Sequence, residues 1–537
     1  MVTAVARHLV GQALRAPHAL RFEAAARRPG RAQAELLGRI VAAARDSERG
    51  RRIGLGRRPF GELPFMDAAE LAAHAERLMR GERNLLTREP PIFYAETTGT
   101  SGKHKIVPVT AAYRADFQKT VHAALTHLWG RFPSAFTSRI LYFVAPRREH
   151  MAADGLDVGA MSGFNYTELP RVARSLYAWP YELFSVKDPG ARAYLALHQA
   201  VLGDVSIIGG VFPLPIVQLL RDLETHAEVL ERDLRHGTLD GAPGAGEVFR
   251  HPPRPDLAER IARSRHAPVE EKVTEAFPRL RLCYCWTTAT AGLYVPELRR
   301  RLGARVAVRD AIYAASEAWC NVTLGDEEPG GPVGVLSAYL EFIPEEELAA
   351  ETPRTVGVEE LEDGRRYGVV CTTSAGLVRY LLNDVVEVCG RYRATPRIRF
   401  VRKLGAQSNL AGELLDESHV TRAVGAALAA AGIEATWFSL VADAAGALPG
   451  YRLHLEPAPG QADPDLGALA ADVDRRLSLE AMAFGELIGS QLQPTRGVLV
   501  PRGRWERWRR ARGNDAQLKA VHLIPAGSSL PPELLGP

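Results

Sequence analysis

The chain has 537 residues, 46% of them hydrophobic and 24% charged, with 67 basic against 63 acidic side chains for a formal charge of +4. That balance belongs to a globular protein of several domains and excludes a disordered, collagen-like or coiled-coil chain. A charge this small over this length also gives no footing for nucleic-acid binding.

In chain order, the first 60 residues read as helical and rich in Ala and Arg, with Arg7, His8 and Arg15 breaking up any signal-peptide core. Leu36, Leu37, Ile40, Val41 and Ala44 recur at helical spacing and leave arginines on the opposite face. A basic amphipathic helix lying on a membrane and a helix covering a core share this pattern; we read it as a core helix. A second helix starts at Asp67, with Glu70 in capping-box spacing, and stops near Gly81.

From Ile92 to Thr110 the pattern is strand, Gly/Ser/Thr loop, strand. Thr110 then N-caps a helix that carries Tyr113, Phe117, Val121, Leu125 and Leu128 on one face. Strand-like runs follow at Ile140–Val144, Val205–Ile208, Val369–Thr372 and Ile398–Val401, with helical segments between several of them. The alternation predicts a layered α/β protein whose sheets are covered by helices.

The apolar stretch Ser206–Leu220 is interrupted by Gly209, Gly210, Pro213 and Pro215, too short and too broken to span a bilayer. Five cysteines, Cys283, Cys285, Cys320, Cys371 and Cys389, form no C-x-x-C pair and no zinc spacing, which suits a reducing, cytoplasmic setting. Cys283-Tyr284-Cys285 reads as an alternating strand rather than a metal site.

Near Arg402 the pattern shifts to short strands, an Ala-rich helix at Val420–Ala431 and a Pro/Gly/Asp-rich connection at Pro457–Asp465, a tail the size of one modest domain. The arginine cluster Arg502–Arg512, with Trp505 and Trp508, reads as a solvated basic face.

The segment Thr97-Thr98-Gly99-Thr100-Ser101-Gly102-Lys103-His104-Lys105 carries the chemistry. Glycines let a backbone turn with positive φ and approach an anion, and successive N–H groups then form a nest that hydroxyls and ammonium groups supplement. Phosphate is the expected guest, although a Gly/Ser-rich turn is often only a turn. Walker A is excluded, because Thr97 stands where its first glycine belongs and His104 follows the lysine.

This stretch resembles the phosphate loop of the adenylate-forming enzymes. Ile312-Tyr313-Ala314-Ala315-Ser316-Glu317 resembles their Y-x-S-S-E motif, and Tyr380-Leu381-Leu382-Asn383-Asp384 their Y-R-x-G-D, with Leu381 for the arginine and Asn383 for the glycine. Within that superfamily the chain resembles the GH3 family of acyl acid amido synthetases, bacterial type. The narrower match rests on Gln33–Leu37 with Ser47–Gly50, Leu230–Leu239, Thr372–Leu377, and Ser408–Glu413 with Glu417.

The resemblance implies a large ATP- and acyl-substrate-binding domain over 1–401 and a smaller mobile α+β lid domain over 402–537. It implies that a carboxylic acid attacks the α-phosphate of Mg-ATP, giving an acyl-adenylate, and that an amine, typically an amino acid's, displaces AMP. An acyl-CoA ligase sharing the first step, or an ATP-binding homologue without catalysis, are the alternatives.

It further implies roles for residues. Thr97, Thr98, Gly99, Thr100, Ser101, Gly102 and Lys103 hold phosphates, with Lys105 assisting. Tyr313 stacks on adenine, Ser316 bonds a phosphate oxygen, Glu317 ligates Mg²⁺, and Asp384 accepts from the ribose hydroxyls. Lys519, in Gln517-Leu518-Lys519, reaches the α-phosphate during adenylation, so that Lys519, Ser101 and Glu317 form the catalytic set. Arg402 marks the interdomain hinge and is grouped with the nucleotide-binding residues. The acyl pocket is expected around Ser162–Tyr166 and Thr287–Tyr294.

Overall fold

The computed structural model describes residues 16–98, 104–186, 188–348, 350–404, 407–408, 410–411, 413, 415–444, 448–489, 491–511, 520–526 and 528–535. The chain divides into two compact units, Met1–Phe400 and Val401–Pro537.

Among the described residues the larger unit contains three sheets. In the first, strand Pro91–Thr98 pairs antiparallel with His104–Thr110 and parallel with Asp157–Gly159, which His150–Met151 extends. The second is a four-stranded parallel sheet of Ile140–Tyr142, Ile207–Gly209, Leu282–Cys285 and Ala307–Asp310. Parallel strands need helical crossovers, and helices such as Leu214–Thr225 and Pro255–His266 supply the apolar surface of a core containing Leu220, Leu223, Ile261 and Cys283. Cys283 and Cys285 are strand residues as expected, and none of the five cysteines forms a disulfide.

The third sheet has five strands, ordered Tyr339–Pro344, Arg366–Thr372, Tyr380–Tyr392, Thr395–Lys403 and Gly331–Pro332. It shares one core with the first sheet, in which Phe93, Val107, Phe117, Phe342, Val369 and Ile398 are all buried.

Local signals in the sequence explain the elements around these sheets. Asp67 accepts from the Glu70 N–H and starts the helix Ala68–Met79, which ends before Gly81 at φ 97°. The reciprocal half of the expected capping box is absent among the described bonds: Glu70 turns its carboxylate to Arg49 and Arg52. Thr110 caps Ala111–Arg131 by accepting from the Tyr113 N–H at 3.1 Å. The early helix Pro29–Ala44 buries Leu36, Ile40 and Ala44, and its buried Gln33 donates to the Val335 and Ala338 carbonyls, so it covers a core as expected.

The smaller unit is a four-stranded mixed sheet, with Ala435–Asp443 and Gly450–Pro457 antiparallel at its centre, beside helices Glu417–Ala431 and Leu466–Glu480. Part of the arginine cluster departs from the solvated face expected of it. In the helix Arg504–Ala511, Trp505 stacks on Trp437 at 5.2 Å, and Arg509 is buried and ion-paired with Glu506. An amphipathic helix places apolar residues and a paired arginine on its inner stripe, so charge counting alone overstates how much of it faces water. No helix among the described residues is long and apolar enough to cross a membrane.

Candidate functional site

Three segments far apart in sequence meet at the base of the Pro91–Thr98/His104–Thr110 hairpin. The ladder runs Thr97 opposite Lys105 and Thr98 opposite His104. The connection, carrying Gly99, Thr100, Ser101, Gly102 and Lys103, lies outside the described residues, as does Lys519. Thr97 and Thr98 close the first strand.

Lys105 is on the second strand, and its Nζ forms an ion pair with Oε1 of Glu317. The Glu317 side chain is 7% exposed and that of Lys105 24%, so the pair is closed over by protein on the carboxylate side. Lys105 also sits 5.0 Å over the Tyr380 ring, an attraction between an ammonium and the negative face of an aromatic quadrupole.

The Ile312–Glu317 segment follows the parallel-sheet strand Ala307–Asp310 and is wired in place by buried polar bonds. Trp286 Nε1 donates to the Ile312 carbonyl at 2.8 Å, and the Tyr113 hydroxyl donates to the Ser316 carbonyl at 2.9 Å. Ser316 is half-buried beside Glu317. Asn321 Oδ1 accepts from the Tyr313 N–H at 2.8 Å, and Asn321 Nδ2 donates to the Ile398 carbonyl at 3.2 Å.

Asp384 lies in strand Tyr380–Tyr392, whose pairing slips: Val370 faces Leu381 while Gly368 faces Val385. Leu382, Asn383 and Asp384 therefore oppose Val369 alone, and a bulge of this kind re-aims a side chain. Asn383 adopts φ 58° within it. Glycine takes that conformation freely and asparagine tolerates it better than most residues. The replacement of the motif's glycine by Asn383 is thus compatible with the backbone the site uses. Glycine is required upstream, where Gly376 has φ 88° and a Cβ would meet the Leu86 carbonyl oxygen at 2.5 Å.

Asp384 is 2% exposed, and its Oδ2 accepts from the Tyr313 hydroxyl at 2.7 Å. Burial first, and the Asp384 charge second, hold the Tyr313 phenol well above its ordinary pKa. Burial and then Glu317 raise the Tyr380 phenol, with Asp384 a further cause. The Cys371 thiol is raised by burial and feels Glu317, Lys105 and Asp384 together. One locus therefore contains Lys105, Glu317, Tyr313 and Asp384. Arg402 belongs to the smaller unit, where its Nε pairs with Asp416 Oδ2 at 3.2 Å, and Asp416 caps the following helix.

Tyr313, expected to stack on adenine, is 7% exposed, and its ring lies 5.5 Å from Phe400 at a tilt of 37°. Among the described residues no group of three or more His, Cys, Asp or Glu side chains forms a self-sufficient metal site.

Sequence reading missed the supports beneath these residues. Ser374 donates to Asp116 Oδ2 at 2.5 Å, and Asp116 also accepts from Lys119 and Arg39. Arg379, 2% exposed, donates to the Gly61 and Leu63 carbonyls and pairs with Glu341. These partners are separated by up to 318 residues, and no local pattern announces them. Of the acyl-pocket segments, Phe164 stacks on Phe93, and Thr287 donates to the half-buried Asp310.

Residues 19–306 match a family model described as the GH3 family N-terminal domain, and residues 333–403 match the GH3 family central domain. The chain belongs to the GH3 family. The indole-3-acetic acid-amido synthetase GH3.3 of Arabidopsis thaliana is 25% identical over 434 residues, covering 76% of this GH3 chain and 73% of the relative. Other sequence relatives are also plant proteins, from Arabidopsis thaliana and Oryza sativa, so the expectation of a bacterial type finds no support among them.

Among solved structures, the GH3.15 acyl acid amido synthetase superposes with a TM-score of 0.82 at 20% identity, covering 94% of this chain and 93% of that one. A 2-hydroxyisobutyryl-CoA ligase in complex with 2-HIB-AMP superposes at 0.52 with 13% identity, covering 93% and 89%. The fold of this GH3 protein is therefore the two-domain α/β fold of adenylate-forming ligases.

Proposed function

We propose that this GH3 protein is an ATP-dependent acyl acid amido synthetase, forming an amide between a small carboxylic acid and an amino acid with release of AMP and pyrophosphate. The observation that carries the reading is the convergence of the phosphate-loop base at Lys105, the Glu317 carboxylate and the Asp384 carboxylate from three distant segments. Two nearly buried carboxylates and an ammonium brought together at motif positions support a charged ligand, since each buried charge costs free energy unless it has a partner.

A carboxylate acylates poorly, so it needs AMP as a leaving group. An anion attacking a phosphate needs positive charge and N–H donors placed beforehand. In our reading the loop Thr97–Lys103 cradles the β- and γ-phosphates, and Lys105 supplies charge at its base. Asp384 accepts from the ribose, Ser316 meets a phosphate oxygen, and Lys519 meets the α-phosphate. Residues 1–401 form the ATP- and acyl-binding domain and 402–537 the lid, with Arg402 at the hinge.

Magnesium takes oxygen ligands and usually one or two carboxylates together with substrate phosphates. A lone Glu317 beside a phosphate loop fits that donor set. When bound, Mg²⁺ offsets the charge of the triphosphate, and Lys105 is the group that balances Glu317 otherwise. Five cysteines without a disulfide fit the cytoplasmic location we assign.

The test is hydroxylamine trapping with ATP, Mg²⁺ and a carboxylic-acid library, followed by amino acids and coenzyme A as competing acceptors. Acid-dependent AMP release and an amide by mass spectrometry are expected. A thioester in place of the amide moves the assignment to an acyl-CoA ligase, and ATP binding without AMP release across the library refutes catalysis.

A further inference from the structure

We propose that a cavity at the edge of the parallel sheet binds a compact phosphate-bearing anion of two or more charges, gripped by Arg299, Arg305 and Arg309. None of its lining residues belongs to the Lys105–Glu317–Asp384 locus, and the site stands independently of the function assigned there.

The cavity has a volume of about 340 Å³ and is lined by residues 303–309 together with Arg299 and Glu327. Strand Ala307–Asp310 is the last of its sheet and pairs with Leu282–Cys285 alone among the described residues, so no further strand covers the segment that borders the cavity. Small-molecule sites run from about 300 to 1,000 Å³, and a cavity at the lower end suits a compact guest.

Charge selects that guest. Three arginines against one glutamate leave the lining with a charge of +2. Arg301, on the same helix Val295–Leu302 as Arg299, pairs with Glu297 and Glu224. Arg299 and Arg305 are exposed and form no ion pair or hydrogen bond among the described residues. Arg309 is nearly buried, with a side chain 11% exposed that lies 5.2 Å over the Phe132 ring. It donates to the Gly325 and Val308 carbonyls at 3.0 and 2.9 Å, while its carboxylate partner Glu327, 3.3 Å away, has a side chain 83% exposed.

Burial lowers the Arg309 guanidinium from its ordinary pKa; Glu327 opposes this, and Arg131 and Arg299 lower it further. The neighbouring Asp326 is held by Arg397 at 2.9 Å. Positive charge therefore outnumbers the acids that face it, and a nearly buried charge costs free energy unless it is paired. A doubly charged phosphate group matches the lining, where a single carboxylate leaves half of its charge unmet. The planar guanidinium fork also pairs with two phosphate oxygens at once.

The experiment is phenylglyoxal labelling of the full chain, followed arginine by arginine by peptide mass spectrometry, with and without inorganic pyrophosphate at fixed ionic strength. Pyrophosphate at about twice its dissociation constant should slow labelling of Arg299 and Arg305 about threefold. Arg300, exposed on the same helix, should label at its original rate. Sodium chloride of equal ionic strength should protect none of the three.

Two substitutions of exposed residues test the roles. Arg305→Ala should raise the pyrophosphate concentration that half-protects Arg299 about tenfold, the scale of one lost bond between charged groups. Glu327→Gln should lower it about threefold, because it removes the acid that competes at the rim. Equal labelling of Arg299 and Arg305 with and without pyrophosphate, or protection that extends equally to Arg300, overturns the proposal. A half-protection point that neither substitution moves also overturns it. The wild-type pattern requires no substitution and decides the matter even where a variant misfolds.

Discussion

Separating the Lys105–Glu317 pair is the perturbation whose size the structure best defines. In Lys105→Met the Glu317 carboxylate, with a side chain 7% exposed, keeps its charge and loses its partner. Breaking one side of a buried pair costs about 3–5 kcal/mol. Lys105→Met should therefore destabilise by about 3–5 kcal/mol.

Glu317→Gln leaves an ammonium whose side chain is 24% exposed and can turn towards water, so that loss should be smaller, about 1–2 kcal/mol. The double variant removes both charges and should be less destabilised than the singles summed, by about 1–2 kcal/mol. Urea unfolding at pH 7 followed by circular dichroism measures all four chains. Singles within about 0.5 kcal/mol of wild type and strictly additive would show that the pair is not closed in solution, and the site geometry would need redrawing. The same variants report on function: Glu317→Gln should shift the Mg²⁺ dependence of AMP release, which a purely structural glutamate would leave alone.

Two other substitutions test further residues. Arg379→Met strands the Glu341 carboxylate and removes donors from the Gly61 and Leu63 carbonyls, so a loss of about 3–5 kcal/mol is expected in urea unfolding; a loss below about 1 kcal/mol would contradict the network. Lys519→Ala should slow pyrophosphate release about 10²–10³-fold, by analogy with a deleted oxyanion donor, and an unchanged rate would remove Lys519 from the mechanism.

Stability should also respond to acid. Burial lowers His198, His454 and His522 to about 4, below the value of about 6.5 in an unfolded chain. The folded state then binds fewer protons between those values, so stability falls as pH drops from about 6.5 towards 4, by up to about 1.4 kcal/mol per pH unit for each histidine. Denaturation midpoints at pH 7 and pH 5 test the sign, and a midpoint that rises on acidification would refute it.

What could be read from the sequence was local or periodic. Thr110 and Asp67 announced their helices because a cap is a contact over three residues, and Leu36, Ile40 and Ala44 announced a buried stripe because helical spacing puts them on one face. The motif carriers Tyr313, Glu317 and Asp384 were visible as residues, but their mutual contacts were not: the phenol of Tyr313 meets a carboxylate 71 positions away. Asp384 owes its direction to a bulge, which depends on strand register and leaves no periodic trace. Arg379 and Asp116 were invisible for the same reason, since their partners come from chain segments that only the tertiary fold brings together.

The most direct test of the shared site is calorimetric titration of ATP into wild type, Lys105→Met and Asp384→Ala, each checked for folding. A single nucleotide should bind, with affinity reduced at least about tenfold by either substitution, because triphosphate and sugar belong to the same molecule. ATP affinity that survives Asp384→Ala unchanged, in a chain that Lys105→Met still weakens, would place the sugar elsewhere and break the account.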